Sequence, residues 1–310
     1  MRITKLPILV AFGVATTATA VAQPKKPAPA KPPAPRPTGS VPTKAVPCAK
    51  DMLTLSVVDA SPVVCWETGC MKLDVLHEEA TAVPKPPAPK RWLFPTPEVK
   101  ADSVCLGTTC KPLGKRLSAA VAAFRKDSED NAAPDNPTVS ATTDLKAVGI
   151  PNGSNPAQVW SVAQDKPLKL KAPPSKGDVY DVTAVGNLFA VDWRACAGPC
   201  AEMELVDSSG RNKGPGGTGG GPVFQLDAKR FVAVSENTRV QVYDLATGKL
   251  LGKLELEGQD GGPLDAVRID DETIAVMYGK SDNATDIVIV SVFPKGKPEV
   301  TSAMRLPNCD

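Results

Sequence analysis

One strand-turn-strand unit recurs six times along this 310-residue chain, and the recurrence limits the available folds more than any other feature. The first strands read VVCW (63 to 66), SVCLG (103 to 107), KAVGI (146 to 150), FAVDW (189 to 193), FVAVS (231 to 235) and TIAVM (273 to 277), so successive copies start 40 to 43 residues apart. Each is followed by a turn and a second strand: CMKLDV (70 to 75), CKPLGK (110 to 115), QVWSVA (158 to 163), AEMELVD (201 to 207), RVQVYDL (239 to 245) and DIVIVSV (286 to 292). In the last three copies an approach strand precedes the hairpin: VTAVG (182 to 186), VFQLD (223 to 227) and AVRID (266 to 270). KLLGKLEL (249 to 256) reads as an outer strand. A small sheet cannot bury both of its faces alone, so such units must stack on their neighbours.

A period of roughly 40 to 45 residues with four strands per repeat is the signature of β-propeller blades. The expected fold is all-β, a propeller of about six four-stranded blades over residues 48 to 310. Two β-sandwich domains with disulfide-closed hairpins are the rival architecture. After Lys115, the run RLSAAVAAFRKDSED places Leu117, Ala120, Val121 and Phe124 at helical spacing, which admits a short helix inserted between blades. Pro84 to Pro97 is Pro-rich and is expected as an irregular surface loop. VQVYDLATGKLLGKLEL (240 to 256), with its D-x-x-T-G-K turn, resembles the third strand, turn and outer strand of WD-repeat and quinoprotein-type blades. The resemblance is clear for this blade and rests on the period elsewhere, without a recurrent Gly-His or Trp-Asp pair. It implies a propeller with loop-lined binding faces.

Cys48, Cys65, Cys70, Cys105, Cys110, Cys196, Cys200 and Cys309 form an even set. Cys65/Cys70, Cys105/Cys110 and Cys196/Cys200 each flank a Gly-containing turn, so each pair is expected to staple its own hairpin. Cys48 and Cys309 remain, and their union would tie the ends of the domain together. C-x4-C and C-x3-C spacings also resemble zinc pairs, but a single His77 and the inferred compartment favour disulfides.

That compartment is read from the N-terminus. Arg2 and Lys5, the apolar run Leu6 to Val14 and the Ala20-Val21-Ala22 site form a signal-peptide pattern over residues 1 to 22. An uncleaved N-terminal anchor is the alternative. No Cys stands at the cleavage point, so a lipoprotein is not expected, and no later segment is long enough to span a bilayer. Residues 23 to 47 are rich in Pro, Ala and Lys and read as a linker of extended polyproline type. Residues 1 to 47 carry seven basic groups and no acid, which leaves −5 of the chain's +2 for the remainder. An acidic domain gives no support to nucleic-acid binding. The protein is expected in the periplasm, the cell envelope or the extracellular space.

Chemical motifs are few. Gly214-Pro215-Gly216-Gly217-Thr218-Gly219 matches G-x-G-x-x-G, but a strand rather than a helix follows, and it is expected as a flexible inter-blade loop. The lone His77 leaves little scope for triads, and paired cysteines leave no thiolate nucleophile. Carboxylates remain: Asp181, Asp192, Asp207, Asp244 and the run Asp270-Asp271-Glu272. A six-bladed hydrolase similar to gluconolactonases would gather several of these around a calcium at the ring axis; turn formation is the simpler role. Trp66 and Trp193 fall on apolar strand positions that favour packing over sugar stacking. The reading is a non-catalytic binding or scaffolding module with no cofactor and no metal, whose partner is a protein or a cell-envelope component. The alternatives are the calcium-dependent hydrolase or lactonase, and an envelope-polymer binder acting through the basic linker.

Overall fold

The structure is a computed structural model that describes residues 53–66, 69–130, 138–153, 155–171, 177–194, 201–235, 239–256, 262–279, 285–295 and 297–306. The signal peptide and linker expected over residues 1 to 47 lie outside the described residues, as do Cys48, Cys196, Cys200 and Cys309.

Six antiparallel meanders follow one another along the chain. The first sheet contains β1 (Thr54–Val58), β2 (Ser61–Trp66), β3 (Gly69–Asp74) and β4 (Glu79–Val83). The second has three strands, β5 (Glu98–Val99), β6 (Ser103–Leu106) and β7 (Thr109–Pro112), and where the other sheets turn into a fourth strand the chain enters α1 (Lys115–Asp130). The third is built from β8 (Ser140–Ala141), β9 (Ala147–Ile150), β10 (Gln158–Ser161) and β11 (Lys166–Pro167), and the fourth from β12 (Asp178–Val185), β13 (Leu188–Arg194), β14 (Ala201–Asp207) and β15 (Asn212–Thr218). The fifth comprises β16 (Val223–Gln225), β17 (Arg230–Ser235), β18 (Arg239–Asp244) and β19 (Leu250–Glu255); the sixth, β20 (Pro263–Arg268), β21 (Thr273–Gly279), β22 (Thr285–Val292) and β23 (Pro298–Leu306). The first strands neighbour one another: β8 lies beside β5 and β12, β16 beside β12 and β20, and β20 beside β1. This is the β-propeller expected from the period, and all six recurring hairpins form.

Strand alternation explains the stacking. On β17, Val232 and Val234 pack against the sixth sheet with Ile274, Val276 and Tyr278, while Phe231 and Ala233 pack against the fourth with Met203 and Leu205. On β21, Ile274 and Val276 face the fifth sheet, and Ala275 and Met277 face Leu55, Val64 and Leu73 of the first. Strands β17 and β21 are thus apolar on both faces, as strands covered on both sides require. The last sheet meets the first through this apolar contact and through the Leu55 N–H, which donates to Asp265 Oδ2 at 2.8 Å.

Cys65 faces Cys70 and Cys105 faces Cys110 in the strand register, with S–S distances of 2.10 and 2.08 Å. Among the described residues no cysteine is free. Helix α1 buries Leu117 and Val121 against Val99, Val104 and Val148, with Ala120 and Phe124 alongside, in the spacing read from the sequence. Its first turn carries no acidic residue. Asp165 of the third sheet supplies the cap instead, accepting from the Arg116 and Leu117 N–H groups at 3.0 and 2.8 Å. A Cβ on Gly114 would stand 2.1 Å from the Asp165 carboxyl carbon, so only glycine leaves room for it.

One expectation is corrected here. Gly214 to Thr218 belongs to strand β15, which pairs with β14 through Glu202↔Thr218, Met203↔Gly217, Glu204↔Pro215 and Leu205↔Gly214, with two register shifts. Backbone pairing needs no side chain, and an edge strand tolerates Gly and Pro.

A buried arginine joins the fifth and sixth sheets. Arg230 is 7% exposed; its Nε donates to Asp227 Oδ2 at 2.6 Å, its Nη1 to the Val292 and Phe293 carbonyls at 3.2 and 2.8 Å, and its Nη2 to the Asp271 carbonyl at 2.9 Å. Arg268 crosses the same seam, donating to the Leu226 carbonyl at 2.6 Å and pairing with Asp271. Replacing Arg230 by Met leaves three carbonyls and one carboxylate without their donor, and is expected to lower unfolding stability by about 3 kcal/mol. Urea denaturation of the two proteins measures this, and a loss below about 0.5 kcal/mol would contradict the bridging role.

Candidate functional site

The segment 84 to 97 between β4 and β5 forms no strand, as its Pro content requires, but it is more than a surface loop. Its Pro-rich first half is largely exposed and touches the ring through the Ser56 hydroxyl, which donates to the Pro87 carbonyl at 3.2 Å. Its second half is anchored to the inner strand of the fifth sheet. The Gln225 N–H donates to the Arg91 carbonyl at 2.8 Å, and Gln225 Oε1 accepts from the Leu93 and Phe94 N–H groups at 2.7 and 3.1 Å. Gln225 Nε2 donates to the Asp227 carbonyl at 2.8 Å, so this residue, only 3% exposed, is hydrogen-bonded on both sides of its amide. Trp92 packs on the apolar layer between the fourth and fifth sheets and stacks on Phe94 with ring centroids 5.6 Å apart. The segment is therefore a strap that runs from the first sheet to the fifth.

Beneath the strap lies a cavity of about 490 Å³. Strap residues Arg91, Trp92, Phe94, Thr96 and Pro97 form one side; Ser140 and Ala141 on β8, Asp181, Thr183 and Ala184 on β12, Asp192 on β13 and Val223 on β16 form the others. Two carboxylates face each other there because β12 is bulged. Val179 pairs with Trp193 and Asp181 with Asp192, leaving Tyr180 as the extra residue. A bulge of this kind re-aims the side chains beside it. Tyr180 turns outward and carries the Arg194 guanidinium 3.6 Å from its ring centroid.

The two carboxylates differ in surroundings. Asp192 Oδ2 accepts from the Gly220 N–H at 3.1 Å. Asp181 Oδ2 accepts from the Thr183 hydroxyl at 3.4 Å, whereas Asp181 Oδ1 is buried and has no hydrogen-bond partner. Burial pushes the Asp181 pKa above the ordinary carboxylate value, against hydrogen bonds from Val182 and Thr183 and the charge of Arg194.

The remaining carboxylates considered in the sequence lie away from this cavity and shape hairpin turns. Asp244 Oδ1 accepts from the Thr247 N–H and hydroxyl at 2.7 and 2.6 Å, and Gly248 at φ +72° closes the D-x-x-T-G-K turn. Asp270 Oδ1 accepts from the Glu272 N–H at 2.8 Å. Asp207 Oδ1 accepts from the Ser209 hydroxyl at 2.6 Å, the Ser209 N–H at 2.9 Å and the Arg211 N–H at 3.1 Å, with Lys213 Nζ 3.3 Å from Oδ2. His77 is exposed and pairs with Asp74 at 2.8 Å. Trp193 and Trp160 are buried between sheets, and Trp66 packs at the seam of the first and last. Among the described residues no three His, Cys, Asp or Glu side chains stand where they could hold one metal ion.

Six successive sheets, strap and cavity define a β-propeller. No protein-family model and no curated protein matches the chain. Among solved structures, it is similar to the WD40 repeats of RRP9, with 16% identity, a TM-score of 0.34 and 53% of this chain covered, the match spanning 50% of the RRP9 chain. It is also similar to the C-terminal WD40 domain of Sif2, with 11% identity, a TM-score of 0.36, and 84% of this chain and 74% of that one covered. The assignment to the propeller fold rests on the six successive sheets themselves.

Two outcomes follow from this geometry. Burial raises the Asp207 pKa, but the bonds from Ser209, Arg211 and Lys213 outweigh it and hold the carboxyl at about 2, below its ordinary 3.8. A carboxyl with a lowered folded-state pKa contributes stability above the unfolded value that disappears as pH falls through the folded one. Asp207→Asn should therefore cost about 1 to 2 kcal/mol at pH 7 and nothing below about pH 2. Denaturation curves of both proteins at the two pH values decide it, an undiminished difference at low pH counting against the assignment. Gln225→Leu removes the strap's acceptor, and limited trypsinolysis after Lys90 and Arg91 should accelerate at least severalfold. Unchanged cleavage there would show that the strap is held by other means.

Proposed function

We propose that this protein is an exported, non-catalytic binding or scaffolding propeller, carried on a Pro-rich linker and recognising a protein or cell-envelope component through its strapped central cavity. The observation that carries the reading is the buried Gln225 amide holding a strap over a 490 Å³ cavity walled by aromatic, hydroxyl and carboxyl groups. Concave sites of a few hundred Å³ with a small number of placed polar groups are where ligands bind. Export is supported by the signal-like N-terminus together with two disulfides, which persist in oxidising compartments. Among the described residues no helix is long and apolar enough to cross a membrane.

Capture from a cell-envelope extract tests the reading with three proteins: the full chain, the chain lacking residues 23 to 47, and Ala184→Trp, which fills the cavity. The full chain and the shortened chain should retain the same component, and Ala184→Trp should lose it. Retention that vanishes with residues 23 to 47 and with added salt would transfer the function to the basic linker.

A further inference from the structure

Of the strands that border the four-stranded sheets, β4 is the one that pairs with its neighbour over five residues without a shift, from Cys70↔Val83 to Asp74↔Glu79. The disulfide beside it fixes which of its backbone groups are already used. Cys65 and Cys70 stand 4.1 Å apart at Cα, the spacing of the narrow antiparallel pair that exchanges no hydrogen bonds. The Cys70 backbone groups therefore point to Val83 on β4, and those of Lys72 and Asp74 to Thr81 and Glu79. Ala80 and Ala82, the alternate residues, turn their N–H and C=O groups outward. Among the described residues no strand lies on that side. Thr81 and Ala82 are exposed, and neither a lysine nor a proline falls within Glu79–Val83 to blunt the edge.

A second copy of the same strand fits this edge. Antiparallel pairing about a two-fold axis at Thr81 sets Ala80 of each copy opposite Ala82 of the other, so the outward groups of both strands find partners in hydrogen-bonded pairs. Thr81 then faces its own counterpart in the narrow pair between them, where threonine side chains contact favourably. Charge selects the same arrangement. The start of β4 is acidic, with Glu78 and Glu79, while Lys85 follows its end, and antiparallel pairing brings the acidic end of one strand to the basic end of the other. Parallel pairing would set like charges side by side. Glu79 and Lys85 are exposed and have no ion-pair partner among the described residues. Leu76, in the turn before β4, is 76% exposed, the most open large apolar side chain described, and this pairing carries Pro84 and Pro86 of the second copy to its side.

We propose that β4 is a self-docking edge through which two copies of this chain form a two-fold dimer, their first sheets merging into one continuous sheet. This stands apart from the cavity reading and holds whatever the cavity binds. The contact is small, so the dimer is expected to be weak and to depend on concentration. Sedimentation equilibrium of the full chain up to about 1 mM is the test, and the chain should pass from monomer to dimer as concentration rises. Ala82→Pro removes an outward N–H without touching the bonds to β3, and should weaken the dimer at least about tenfold. Thr81→Glu lies opposite Lys72 within its own sheet but sets two carboxylates face to face at the axis, so it should abolish the dimer and leave the urea midpoint in place. Thr301→Glu, which adds the same charge to the shifted border strand β23, should leave the dimer unchanged. Thr81→Cys should give a covalent dimer on mild oxidation, and Thr301→Cys should not. A chain that stays monomeric throughout, a dimer indifferent to Ala82→Pro and Thr81→Glu, or equal loss with Thr301→Glu would each overturn the assignment. A dimer that disappears when residues 23 to 47 are deleted would overturn it as well, giving the contact to the linker.

Discussion

Apolar contact between successive sheets is the interaction on which every other feature depends. The middle strands of a sheet present one row of side chains to the preceding sheet and the alternate row to the next, as Phe231/Ala233 and Val232/Val234 do on β17. No single sheet has a dry face of its own, so local hairpins gain their burial only when neighbours are in place. Polar groups then reinforce particular seams. Arg230 and Arg268 reach across from the fifth sheet to the sixth and back, Asp265 accepts from Leu55 where the last sheet meets the first, and Asp165 of the third sheet caps the helix that follows the second. Each of these bonds can form only after the sheets are stacked.

The candidate site arises where that regular seam is interrupted. Between the fourth and fifth sheets the bulge at Tyr180 sets Asp181 opposite Asp192, and the inner strand β16 is only three residues long. The space left is roofed by chain from a distant part of the sequence. A twin bulge at Leu264 sits at a seam where the aspartate finds a backbone partner, which makes the contrast between Asp181 and Asp265 a difference in surroundings rather than in local sequence.

The sequence was legible wherever the determinants were local. Runs such as FVAVS and TIAVM are apolar at consecutive positions because both faces are covered, and their spacing set the number of sheets. DLATGK specified its turn through the Asp244 and Thr247 side chains, and the Leu117/Val121 spacing specified the helix. The two described disulfides followed from cysteines facing across short turns. What stayed hidden depends on distant partners. The strap is held by Gln225, more than 130 positions further along the chain, and nothing local marks that glutamine. A partial signal was present in the Trp92-Leu93-Phe94 triplet, an apolar cluster ending a Pro-rich stretch that would otherwise be fully solvated. Gly214 to Thr218 misled for the opposite reason, since its composition suggests a loop while the pairing partner β14 decides that it is a strand.

The outer rim has a consequence for crowding. The last strand of each four-stranded sheet ends in unpaired backbone groups that could template another chain. Four of these five strands are poor templates: β11 is only Lys166–Pro167, β15 carries Gly214 and Pro215 with two shifts of register, and β19 and β23 are each interrupted once by a bulge, whereas β4 pairs without a shift. Such irregular borders discourage the side-by-side strand addition that leads to polymers, and they leave β4 as the regular edge among these five.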